Sequence, residues 1–71
     1  MSYWPSVKAK KVYKALLGIG WEQKSEKASS HVQLTHPTRG DYTWSFNGSD
    51  EIGPKMMARI AKHTGLTRED L

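Results

Sequence analysis

The segment Tyr42-Thr43-Trp44-Ser45-Phe46-Asn47 alternates aromatic and polar side chains without a break. In an extended chain successive side chains point to opposite faces, so this segment has one oily face and one wet face and reads as a strand with one side buried. His31-Val32-Gln33-Leu34-Thr35-His36 has the same period of two, and Trp21 to Glu26 supplies a third extended segment. Pro37-Thr38-Arg39-Gly40-Asp41 and Lys27-Ala28-Ser29-Ser30 carry the turn residues that connect them.

Helical spacing flanks the three strands. Ala9, Val12, Leu16 and Ile19 recur every three or four residues while Lys8, Lys11 and Lys14 take another side, with Ser6 as the expected N-cap and Gly18 and Gly20 as the stop. A second helix is expected from Pro54, tolerated in a first turn, with Ile52, Met56 and Ile60 on one stripe, Met57 and Ala61 beside it, and Gly65 at its end. Thr67-Arg68-Glu69-Asp70 is read as a capped further turn. The expected fold class is α+β, in the order α-β-β-β-α: one domain over residues 1–71, with a three-stranded antiparallel sheet carrying two helices on one face.

Parity then assigns directions. Val32 and Leu34 are the large aliphatics of their strand and must face the helices, so His31, Gln33 and Thr35 face away. Tyr42, Trp44 and Phe46 likewise take the helix side, leaving Thr43, Ser45 and Asn47 beside His31 on an open polar surface. Tyr3 and Trp4, close to the start of the chain, must pack back on the domain or meet a partner.

With 71 residues and no cysteine, stability has to come from a thin core without disulfides or a thiolate metal site. The first residues lead into a lysine-rich segment with no apolar stretch, and no run has membrane-spanning length, so a cytoplasmic location is expected. A net charge of +4 favours an anionic partner, nucleic acid first and an acidic protein second.

One group on the open surface can move protons near neutral pH. Imidazole has an unperturbed pKa of about 6.5, which suits His31 to act as general acid or base. His31 and His36 cannot jointly clasp a metal ion, because positions five apart on a strand face opposite sides. No metal and no cofactor is expected. His63 reads as a helix C-terminal residue placed favourably on the dipole.

The chain also resembles a known family over nearly its full length. Lys10-Lys11-Val12-Tyr13-Lys14-Ala15-Leu16-Leu17-Gly18-Ile19-Gly20-Trp21 is similar to a first helix ending in a glycine-aromatic step. Ser29-Ser30-His31-Val32-Gln33-Leu34-Thr35-His36-Pro37 is similar to a Gly-Ser-His motif followed by a strand and a His-Pro turn, and Ile60-Ala61-Lys62-His63-Thr64-Gly65-Leu66-Thr67 to a closing helix and Gly-Leu-Thr step. These segments resemble the HicA-like, or YcfA-like, toxins of toxin–antitoxin pairs. The resemblance implies a fold similar to a double-stranded RNA-binding domain, endoribonuclease cleavage of mRNA, a catalytic role for His31 and a HicB-like antitoxin protein as partner. Two positions depart from the family pattern: Ser29 replaces the motif glycine, and Asn47-Gly48-Ser49-Asp50 stands where many members have a further histidine.

Cleavage without metal fits the residues present. The 2′-hydroxyl of RNA attacks the adjacent phosphate, which needs a base, an acid and positive charge on the phosphorane. Lys24, Lys27 and Arg39 are the expected phosphate contacts, with Ser30 completing the nucleic-acid-binding set. The alternative reading is a non-catalytic RNA-binding or partner-binding domain on the same fold.

Overall fold

The computed structural model describes residues 4–26 and 31–71. Its elements run β1 (Val7–Lys8), α1 (Ala9–Gly18), β2 (Glu22–Glu26), β3 (Val32–His36), β4 (Gly40–Trp44), β5 (Glu51–Ile52), α2 (Pro54–Thr64) and a final 3₁₀ turn, Arg68–Asp70. Strands β2, β3 and β4 form the expected antiparallel three-stranded sheet, with Leu34 paired to Tyr42 and Val32 to Trp44. Residues paired directly across a ladder share a face. These four lie on the helix side, and Gln33 and Thr43, also paired, lie on the open side.

The core is one cluster under the helices. Ala9, Val12, Ala15 and Leu16 of α1 and Met57 and Ile60 of α2 are buried with Trp21, Leu34 and Trp44. The Trp21 indole N–H donates to the Thr64 carbonyl at 3.1 Å, so the one polar atom of this ring is satisfied while its carbons fill the core. Trp4 packs back into the same cluster; Tyr3 lies outside the described residues.

Four expectations are corrected. Ser6 is not the N-cap of α1, because Val7 and Lys8 are taken into a short ribbon in which Val7 pairs with Ile52 and Lys8 with Glu51. The helix therefore starts two residues later, from Lys8, with no side-chain cap, and the Ala9 N–H donates to the Asp50 carbonyl at 2.8 Å instead. This ribbon is an addition to the expected α-β-β-β-α order. On α2 the buried face is Met57, Ile60 and Thr64, and Met56 is exposed: since Ile52 belongs to β5, the helical register counts from Pro54 and turns Met56 outward. Strand β4 begins at Gly40 and ends at Trp44, so Ser45, Phe46 and Asn47 lie beyond it. Asn47 and Asp50 close their own turn there, the Asp50 carboxylate accepting the Asn47 N–H at 2.9 Å. Finally, β3 starts at Val32 and leaves His31 just ahead of the strand.

The expected stops hold. Gly20 has φ +108° and Gly65 φ +80°, both conformations that side chains with a Cβ rarely adopt. Pro54 opens α2, and the final turn carries a capping box between Thr67 and Asp70.

Candidate functional site

A bulge shapes the open face. Gln23 pairs with Leu34 and Ser25 with Gln33, so Lys24 is the extra residue of β2. Gln23 sits on the helix side, where its side-chain oxygen accepts the Tyr13 hydroxyl at 3.3 Å. The Lys24 ammonium reaches across the sheet to donate to the Asp41 carboxylate at 3.1 Å. Asp41 pairs with Thr35, and Thr43 donates its hydroxyl to the Gln33 side-chain oxygen at 3.1 Å. Lys24 beside Asp41 holds that carboxyl below the ordinary value of 3.8, and a Thr35 hydroxyl hydrogen bond adds to the effect.

His31 is exposed at the edge of this face, one residue before the first rung of β3. The other histidines lie elsewhere. His36 ends the same strand, about 16 Å away at roughly 3.3 Å per residue. Its Nδ1 accepts the Thr38 N–H at 3.2 Å, which leaves Nε2 to carry the proton and donate to the Ile19 carbonyl at 3.2 Å. Both ring nitrogens are thus engaged, and the ring packs on Trp21 with centroids 5.1 Å apart. His63 is exposed near the end of α2 and stacks on Tyr42 at 6.0 Å. Burial pushes the Tyr42 phenol above its usual 10.0.

Of the expected phosphate contacts, Lys24 lies on the open face but is paired with Asp41. Arg39 lies at the far end of β3 from His31, its guanidinium against Gly65, where an added Cβ would come within 2.8 Å. A cation there faces the negative end of the α2 dipole. The structure does not bring Arg39 to the imidazole. Lys27 and Ser30, with the Ser29 departure, lie outside the described residues. Among the described residues no group of three or more His, Asp or Glu side chains is arranged to hold a metal ion.

Sequence reasoning missed the Asp41 partner of Lys24, because the bulge that aims the lysine leaves no mark in the residue pattern. It also missed an apolar groove between α1 and the end of β4, lined by Tyr13, Leu17, Val32, Trp44 and Phe46. The available signal was Leu17, an apolar residue off the core stripe of α1.

The fold and this surface define a small basic α+β domain with an exposed imidazole, His31, at a strand edge. Compared with known protein families, residues 9–66 match the HicA toxin of bacterial toxin–antitoxin pairs, from the first residue of α1 to just past α2, and the chain belongs to that family. Comparison with curated proteins and with solved structures gives no match.

Proposed function

We propose that this toxin is an endoribonuclease that cuts mRNA without a metal ion, with His31 as general acid or base, and that the chain acts as a single cytoplasmic domain restrained by a HicB-like antitoxin. The observation that carries the reading is the exposure of His31 beside a polar, hydrogen-bonding sheet face in a chain of this family. In the reaction a base takes the 2′-hydroxyl proton, the 2′-oxygen bonds to phosphorus, and the 5′-oxygen departs with a proton from an acid. The products are a 2′,3′-cyclic phosphate and a 5′-hydroxyl. His31 fills one proton role in a given step. His36 is unsuited to the other, being tied at both nitrogens.

Phosphate charge falls to the basic residues. Lys24 is on the open face, and an RNA phosphate competes with Asp41 for its ammonium. The test incubates single-stranded RNA with the protein, with and without EDTA, beside His31→Ala. Positioned proton transfer contributes about 10²–10⁴-fold, so the variant is expected to lose activity by that factor while DNA stays intact. Equal product patterns from wild type and variant remove His31 from catalysis. Salt-dependent binding without scission selects the binding-module alternative.

A further inference from the structure

We propose that the groove between α1 and the end of β4 is a nucleobase subsite, in which one base of a single-stranded RNA stacks on aromatic rings and Lys10 and Lys14 hold the flanking phosphates. The proposal rests on the RNA-directed reading above and extends it to the helix side of the sheet. The groove has a volume of about 470 Å³, and its lining is almost wholly apolar. Trp44 forms the floor, 4 % exposed, with the Tyr13 ring 5.7 Å and the Phe46 ring 5.0 Å from it, centroid to centroid.

Leu17 stands at the mouth, 41 % exposed, an apolar side chain left in water in a domain with little apolar surface to spare. Lys10 and Lys14 lie one helical turn apart on the rim, and neither is ion-paired among the described residues. Among the described side chains, none that lines the groove is acidic. An apolar protein side chain would use the floor and leave both ammonium groups without a purpose. A flat ring carried on a phosphodiester uses both, which is how single strands are held without sequence preference. Val32, which lines the groove, directly follows His31, so a strand seated in the groove reaches the imidazole by passing round the same end of β3. A base seated there anchors the strand at the edge where the imidazole is exposed.

The test measures anisotropy of two labelled probes: a short 2′-O-methyl oligoribonucleotide, which cannot be cut through its 2′-oxygen, and an abasic oligomer with the same number of phosphates. Stacking of one base is expected to tighten binding by about 5- to 150-fold over the abasic probe. Phe46→Ala, with its fold checked by thermal melting, should erase most of that difference and leave abasic binding unchanged. Leu17→Glu, at an exposed position that folding does not need, should weaken the base-carrying probe as well. Equal binding of the two probes by wild type, or a difference that survives both substitutions, overturns the proposal. So does loss of antitoxin binding with RNA affinity unchanged, which would assign the groove to a protein. Base-dependent binding through Phe46 in a protein that cuts no RNA sinks the nuclease reading and leaves the subsite standing.

Discussion

Replacing Gly20 and Gly18 separately by alanine should move stability in opposite directions, though the residues are two apart and the change is one methyl group. Gly20 has φ +108°, and a Cβ built on it would lie 2.9 Å from His36 Nε2 and 3.2 Å from Cδ2. Forcing a residue with a Cβ into such a conformation costs about 1–3 kcal/mol. Pushing the imidazole aside also breaks its donation to the Ile19 carbonyl, about 1 kcal/mol more. Gly20→Ala should therefore destabilise by about 2–4 kcal/mol, which in a domain of this size lowers the melting temperature by roughly 10–30 °C. Gly18 closes α1 with nothing within 4 Å of its added Cβ, so Gly18→Ala should stabilise by about 0.5–1 kcal/mol. Thermal and urea unfolding of both variants, and of Gly20→Ala combined with His36→Ala, measure this directly. The double variant should recover about 1 kcal/mol through coupling, since the clash partner is gone, and keep the backbone cost. Gly20→Ala at wild-type stability, or strict additivity with His36→Ala, would refute the reasoning.

Three further outcomes are expected. NMR titration should place the Asp41 carboxyl below 3.8 and Lys24→Met should return it toward that value; because the folded value is the lower one, the contribution is present above the unfolded pKa and fades as pH falls through the folded pKa. Asp41→Asn, which frees the Lys24 ammonium, should steepen the salt dependence of single-strand RNA binding by up to about 0.7 in log–log slope. Met56→Lys should change stability by less than about 0.5 kcal/mol and Met57→Lys should unfold the domain, a contrast that circular dichroism reads, since only Met57 is buried.

What could be read from the chain was what neighbours in sequence decide. Tyr42 and Trp44 alternate with polar residues, Pro54 and Gly65 bracket α2, and the parity of Val32 and Leu34 turned the Gln33 position outward. The β1–β5 ribbon was hidden because its strands have two residues each, too few to show a period, and its pairing spans most of the chain. The same distance hid the site's wiring. Lys24 meets Asp41 only through a bulge, and Arg39 goes to Gly65 because the hairpin end lies beside the close of α2. The exposure of His31 was legible, whereas the groove draws its walls from α1, β3 and the segment after β4.

The two-rung ladder that joins Val7 to Ile52 and Lys8 to Glu51 is a common anchor for the helical layer. Each helix springs from one side of it, α1 directly after Lys8 and α2 one residue after Ile52, so two backbone rungs fix the distance between the roots of the helices.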